Sequence, residues 1–448
     1  MNDRQPQTTA QPATVSARRG TPQAGDNRSR WEWVEASVWT ERMLAALENG
    51  VKGGKWFRLI DKVWNEKNLF AASLKVVANA GSAGVDGQSV EAHQQQREAD
   101  LAALQRELRA DHYAAQPARR VWIPKPGRPE KRPLGIPVVR DRVVQTALRQ
   151  VVEPIFEREF AEHSYGFRPK RGCKDALRRV QQLLEEGAIF VVDADLKSYF
   201  DTIPHERLRQ RLEERIADGR VLGLITDYLK AGVMDTMNGW QPTEQGTPQG
   251  AVISPLLANI YLNPLDHHMA RLGFEMVRYA DDFVVLCQSR EEAAHALAEV
   301  QTWVTANGLT LHADKTRVVD ATQRGGFDFL GYHFERGYRW PRQKSLDKLK
   351  GTIRDATHRT NGESLAMIIA KLNPKLRGWY AYFQQSHWTT FESVDGWVRM
   401  RLRSILRQRQ GRRGRGCGTD HQRWPNAYFG ALGLYSLKAA HVQACQSH

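Results

Sequence analysis

The sequence predicts an α+β chain. Three observations point there. Apolar residues recur every three or four positions before about residue 115 and again after about residue 342, as helices require. Between those limits lie short runs rich in Val, Ile, Phe and Tyr, bounded by Gly, Pro and Asp, as strands and hairpins require. The 448 residues leave room for two to four domains and a sizeable core.

The first thirty residues are rich in Gln, Thr, Pro, Ala and Arg and lack an apolar core. They read as a disordered head rather than a secretion signal. Short helices follow around Met43 to Leu47, Leu59 to Val63 and Leu69 to Ala78, the last closing at Asn79-Ala80-Gly81. A further helix carries Leu101, Leu104 and Leu108. Val121 to Gly127 and Lys131 to Pro137 form a hairpin that its prolines keep at a sheet edge. Its tip carries Lys125, Arg128, Lys131 and Arg132, which suit either a phosphate clamp or a solvated edge turn. Helices are expected over Asp141 to Phe160 and Lys174 to Glu186, with an exposed aromatic and basic turn at Ser164 to Pro169.

Ile189 to Leu196 is the clearest strand, and its alternation places Asp193 and Asp195 on one face. Phe200, in the following turn, fits core packing and contact with a bound sugar equally. Gln245 to Pro255 holds two glycines around Pro-Gln, permitting close backbone approach to a ligand. A helix with Leu256, Leu257, Ile260, Tyr261 and Leu262 leads to a hairpin with Asp281-Asp282 at its turn. Next come a helix over Glu291 to Gly308 and a strand pair at 309–312 and 316–319 with Lys315 between them. An aromatic hairpin strand spans 327–334. From Arg342 the chain turns helical and basic, at Leu346 to His358 and Ser364 to Leu372. Residues 373–383 interleave aromatics with bases, suiting base stacking or the core of a helical bundle. The Arg-rich tract at 399–415 looks flexible over 411–416, and an ordered aromatic segment resumes at 423–437.

A net charge of +15 argues for a polyanionic partner, most simply nucleic acid. No run of about twenty apolar residues suggests a membrane span. The four cysteines form no Cys-x-x-Cys pair and fit a reducing compartment. Cys417 with His421, and His441 with Cys445, could frame zinc, though their spacings differ from structural ribbons. Taken alone, the Asp pair reads as a solvated turn. Adjacent buried carboxylates need cations, and hard oxygen donors suit Mg²⁺. With a third carboxylate, two ions could clamp an in-line phosphoryl displacement.

The order of the motifs is more specific than any one of them. Ile-Pro-Lys…Arg-Pro-Leu-Gly-Ile-Pro is followed by Ser-Tyr-Gly-Phe-Arg-Pro and a strand ending at Asp195. Gly-Thr-Pro-Gln-Gly, Tyr-Ala-Asp-Asp, Lys315 and Phe329-Leu330-Gly331 come after. This succession resembles the reverse transcriptases encoded by bacterial group II introns, and Leu372 to Tyr380 resembles their maturase signature. The resemblance covers the chain from about residue 55 onward. It implies a right-hand polymerase: a disordered head (1–30), a helical N-terminal extension (31–115) and fingers and palm (116–340). An all-α thumb or maturase domain (341–405) and a basic, DNA-binding-like segment (406–448) would complete it.

By the same resemblance, Asp195, Asp281 and Asp282 hold two Mg²⁺ ions, with Mn²⁺ as a substitute. Lys125 and Arg132 hold the triphosphate. Phe200 rejects a ribose 2′-hydroxyl, Gln249 lines the nucleotide pocket, and Lys315 protonates pyrophosphate. Phe329, Leu330 and Gly331 grip the primer. Lys375, Arg377, Trp379 and Tyr380 bind intron RNA. The implied partners are group II intron RNA, a DNA target and primer, and deoxynucleoside triphosphates, with no membrane and room for a homodimer. The implied location is the bacterial cytoplasm, near the nucleoid. The chain stops soon after Leu437 without paired cysteines, so an endonuclease-lacking form is expected. The alternatives are a splicing-only maturase and a retron or defence-associated reverse transcriptase.

Overall fold

The computed structural model describes residues 30–446 apart from 125–130, 236, 238, 413 and 417. Lys125, Arg128, Cys417 and nearly all of the expected head lie outside the described residues. Helices pack against short, largely antiparallel sheets, the α+β arrangement; the strands Ala118–Pro124 and Val233–Asp235 are the parallel exception.

The N-terminal helices are α1 (Glu41–Asn49), α2 (Ile60–Val63), α3 (Glu66–Ala78), α4 (Val90–Gln95) and α5 (Arg97–Ala110). Polar caps start several of them: Thr40, Asn65 and Ser89 each accept a hydrogen bond from a first-turn amide. Ser73 Oγ lies 2.8 Å from His93 Nε2, and His93 Nδ1 lies 2.7 Å from Asp100. That is a hydrolase-like order, but Ser73 is fully buried and beyond a substrate's reach. The chain ties α3 to α4 and α5. These helices share one core with α6 (Val139–Glu157), whose buried Val143, Val144, Ala147 and Leu148 meet Leu69, Ala72 and Val76. The expected extension at 31–115 is therefore packed into the body of the molecule.

β1 (Ala118–Pro124) and β2 (Lys131–Ile136) form the expected hairpin, with β2 at the edge of the sheet β2-β1-β4-β5. β4 (Val233–Asp235) and β5 (Gly239–Gln241) complete that sheet. The central sheet has the order β6-β7-β3-β8, from β3 (Phe190–Asp195), β6 (Glu275–Tyr279), β7 (Asp282–Cys287) and β8 (Arg317–Asp320). Its faces follow the period of two. Val192, Ala194, Phe283 and Val285 join the large core. Val191, Val284 and Leu286 face a second core with Ala176, Leu177 and Val180 of α7 (Cys173–Glu185). Asp193, Asp195 and Asp282 share the parity of this second face.

The helices between the strands are α8 (Tyr199–Thr202), α9 (His205–Glu213), α10 (Gly219–Lys230), α11 (Ser254–Arg271) and α12 (Arg290–Ala306). The expected pairing of 309–312 with 316–319 does not form. Both segments line the same edge of β3 in succession. Val192 pairs with Val318, and beyond β8's reach Leu311 bridges to Leu196 while His312 N donates to Asp195 O at 2.8 Å. β3 offers a continuous open edge, and the turn at 312–316 carries Lys315 out over it. The aromatic segment is two strands, β9 (Phe327–Phe329) and β10 (Tyr332–Glu335), joined by a turn at Leu330-Gly331 and followed by β11 (Tyr338–Pro341).

The C-terminal bundle contains α13 (Gln343–Ala356), α14 (Leu365–Phe383) and α15 (Thr389–Arg409), then α16 (Thr419–Arg423), α17 (Asn426–Ala431) and α18 (Leu437–Gln446). α14 runs straight through Pro374, past the expected stop at Leu372. Burial of Ile369, Leu372 and Leu376 on one face outweighs the backbone hydrogen bond the proline forgoes. α15 crosses the expected boundary at 405/406, and Trp424, Phe429 and Leu437 enter the same core. Much of the Arg-rich tract is committed internally. Arg403 is buried and donates to Trp424 O at 2.9 Å, Arg407 pairs with Asp420 at 2.7 Å, and Arg401 donates to Thr357 O at 2.7 Å. The last segment thus belongs to the bundle rather than to a separate basic unit. Among the described residues, no helix is long and apolar enough to cross a membrane.

Candidate active site

β3 and β7 pair so that Asp195 stands directly opposite Asp282. Opposed residues of this kind hold their Cβ atoms about 5 Å apart. Asp281 sits one residue earlier, in the turn after Ala280, whose φ is +60°. The three carboxylates therefore crowd one end of the sheet. Burial, followed by the charges of Asp281, Asp193 and Asp195, pushes the Asp282 carboxyl up to about 7. Burial, with Asp195 nearby, also raises Asp281. The Leu330 amide donates to the Asp282 carboxylate and holds it in part against this shift.

Cations reach the carboxylates from the neighbouring edge of the sheet. Lys315 forms an ion pair with Asp195, and Arg317 lies 3.5 Å from Asp193. A cleft of about 780 Å³ opens in front of them. It is lined by Arg132 of the basic hairpin, by Asp195, Asp282 and Lys315, and by Phe329, Leu330 and Gly331. Among the described residues, no three His, Cys, Asp or Glu side chains are already gathered to hold a metal ion. One oxygen of the Asp195 carboxylate is instead paired with the Lys315 ammonium.

A second cavity, of about 350 Å³, brings together Arg120, Phe200, Asp201 and Gln249. Gln249 Nε2 donates to both Asp201 oxygens at 3.2 Å. Two glycines make the loop possible. A Cβ on Gly246 (φ +83°) would stand 2.7 Å from the Asp201 backbone, and one on Gly250 (φ +108°) would stand 2.5 Å from Gly135 O. Gly135 N in turn donates to Gln249 O at 2.7 Å.

The four residues expected to touch intron RNA divide. Lys375 and Trp379 line a groove of about 490 Å³ with Leu330, Gly331, Lys348 and Tyr382. Arg377 faces elsewhere, its guanidinium 4.6 Å from the Tyr435 ring centroid. Tyr380 is a core residue, packed edge-on to Phe391 with 5.3 Å between centroids, so its ring is not offered to a base. The turn at 164–169 is likewise only half as expected. Phe167 is exposed, but Arg168 is buried and forks Glu157. His441 Nε2 lies 3.7 Å from Cys445 Sγ as neighbours on one helix turn.

Sequence reasoning missed Asp201, Arg317 and the buried Arg278, Asn259 and Asp266. Only Arg278 carried a signal, through its place just before the Asp pair.

Residues 123–334 match the family model for "Reverse transcriptase (RNA-dependent DNA polymerase)", and residues 346–422 match "Group II intron, maturase-specific domain". Protein YkfC of Escherichia coli (strain K12) is 36% identical over 296 residues, covering 57% of this chain and 77% of that protein. The group II intron-encoded protein LtrA of Lactococcus lactis subsp. cremoris is 40% identical over 173 residues, covering 38% of this chain and only 28% of LtrA. A chain of the partial Cas6-RT-Cas1–Cas2 complex aligns over 55% of this chain and 42% of its own at 23% identity. Its TM-score of 0.36 is too low to add weight. Set beside the sheet, the opposed aspartates and the helical bundle, the two family matches and YkfC show that the chain belongs to the reverse transcriptases that carry a group II intron maturase domain.

Proposed function

We propose that the cleft polymerises deoxynucleotides on an RNA template, and that the protein binds its group II intron RNA, aids its splicing and copies it into DNA. The observation that carries this reading is Asp195 opposite Asp282, with Asp281 at the adjoining turn. Evolution has no structural reason to crowd three acids where burial lifts one of them to about 7. A site whose excess negative charge is left to Lys315 and Arg317 suits divalent cations, since its donors are hard carboxylate oxygens. When bound there, two Mg²⁺ ions would supply Lewis-acid activation of the primer 3′-hydroxyl and neutralise charge on the departing pyrophosphate.

The chain's own residues do the rest. Asp195, Asp281 and Asp282 would hold the ions, and Lys315, which pairs with Asp195 in the structure, would serve as proton donor to the departing pyrophosphate. Arg132, on the facing wall, neutralises the triphosphate. Phe200 and Gln249 share a cavity beside the sheet, which suits exclusion of a 2′-hydroxyl and contact with the nucleotide. Leu330 and Gly331 lie between the cleft and the groove of Lys375 and Trp379. That continuity favours contact of both residues with the primer strand as it leaves, leaving Arg377 for intron RNA.

Primer extension tests the reading. On a primed RNA template with Mg²⁺ and deoxynucleotides, the wild type extends the primer and Asp281→Asn abolishes extension. Equal extension by the two proteins would remove the metal assignment.

A further inference from the structure

Arg278 is fully buried, and its guanidinium is committed in three directions. Nε and Nη2 fork the Asp266 carboxylate at 2.7 and 2.5 Å. Nη1 donates to Asn259 Oδ1 at 3.0 Å and to the Ala280 carbonyl at 2.8 Å. Asp266 and Asn259 are two turns apart on α11, so a single helix face carries both. The Ala280 carbonyl precedes Asp281 directly. Ala280 itself is left-handed at φ +60°, a conformation that costs a non-glycine residue about 1 kcal/mol.

The turn is braced from the other side as well. Asn259 Nδ2 donates to the Gly166 carbonyl at 2.7 Å. Arg278 N donates to His163 O at 3.0 Å, and Tyr165 N donates to Arg278 O at 2.8 Å. This seats Gly166 so close that a Cβ on it would stand 2.3 Å from the Ala280 nitrogen. Stability alone does not call for an arginine here, because apolar residues of similar volume commonly replace buried ion pairs without loss. What an apolar residue could not do is hold the carbonyl of the residue before Asp281.

We infer that Arg278 is a positioning residue: anchored on Asp266 and Asn259, it fixes the Ala280 carbonyl and so the direction in which Asp281 and Asp282 leave the turn. This inference rests on the reading of those aspartates as metal ligands. Arg278→Lys keeps the charge but loses the fork. Asn259→Ala removes one anchor without stranding a buried charge, and it decides the matter if the lysine variant does not fold. Both are assayed for primer extension per active site across a Mg²⁺ titration, alongside template–primer affinity.

The half-saturating Mg²⁺ concentration should rise about tenfold in Arg278→Lys and about threefold in Asn259→Ala, as when support behind a metal ligand is lost. Template–primer affinity should stay within about twofold of wild type. An unchanged Mg²⁺ midpoint in the folded variants would make Arg278 a core ion pair only and overturn the inference. Retained extension by Asp281→Asn would instead remove the metal reading beneath it, a separate result.

Discussion

Phe200 illustrates how a side chain acquires a role from its neighbours. Its ring lies 5.5 Å from that of Tyr199, whose hydroxyl donates to Ala258 O at 2.6 Å. The pair is pinned from behind, while Phe200 remains half-buried at the wall of the cavity that holds Gln249. Sequence alone left core filling and sugar contact evenly matched. The cavity wall favours the second. Phe200→Ala should raise the use of ribonucleotides relative to deoxynucleotides by about tenfold or more, as removal of a steric wall does. Single-nucleotide incorporation kinetics measure the ratio, and an unchanged ratio would end the gate assignment. The acidic candidates stood out in the sequence only through the order of the motifs and the resemblance it carries; taken alone, the Asp pair read as a solvated turn. Asp201, which holds Gln249, was not legible, because nothing within its own segment sets it apart from a solvated carboxylate.

At the scale of elements, the chain was read best where a segment decides its own conformation. The strand at 190–195 and the hairpin at 275–287 announce themselves by alternation and by the turn between them. The partner of β8 was misjudged because pairing depends on which strand edge is open, and that is a property of the assembled sheet. The C-terminal helices show the same limit. Asp395 of α15 is buried and accepts from Ser436 Oγ at 2.6 Å, Leu437 N at 3.0 Å and Lys438 N at 3.2 Å, capping α18 from forty residues away. No local cap pattern could reveal it. Asp395→Ala should lower stability by about 2 kcal/mol, since it strands two amides and a hydroxyl. Chemical denaturation measures this, and a loss within about 0.5 kcal/mol would show that Ser436, whose Oγ accepts from Ala439 N at 3.2 Å, caps α18 adequately without Asp395.

Across the whole molecule, the N-terminal helices, the basic hairpin sheet and the central sheet meet around α6. Asp141 of that helix sits at the meeting point, accepting from Tyr113 Oη at 2.5 Å and Gln116 N at 2.8 Å. Burial pushes its carboxyl up to about 6 from an ordinary 3.8, despite those hydrogen bonds. The folded state therefore holds this proton more tightly than the unfolded chain. Its contribution is complete below about pH 4 and is lost as pH rises through about 6, to a total of about 3 kcal/mol. Asp141→Asn should flatten the fall in stability between pH 4 and 7 by a comparable amount. Parallel stability curves for the two proteins would contradict the burial argument. Charge at this scale was legible from composition, but the division of the arginines was not. The +15 balance points to nucleic acid, while Arg278, Arg168 and Arg403 are buried within the fold.

The central claim is that Asp195, Asp281 and Asp282 act together as ligands of divalent ions during DNA synthesis. A crystal structure of the protein with a primed RNA template, Mg²⁺ and an unreactive deoxynucleoside triphosphate analogue tests it most directly. The account predicts that all three carboxylates bind metal, with Asp195 released from Lys315 and Lys315 turned towards the triphosphate. Density showing Asp195 still paired with Lys315, and the ions held elsewhere, would contradict it.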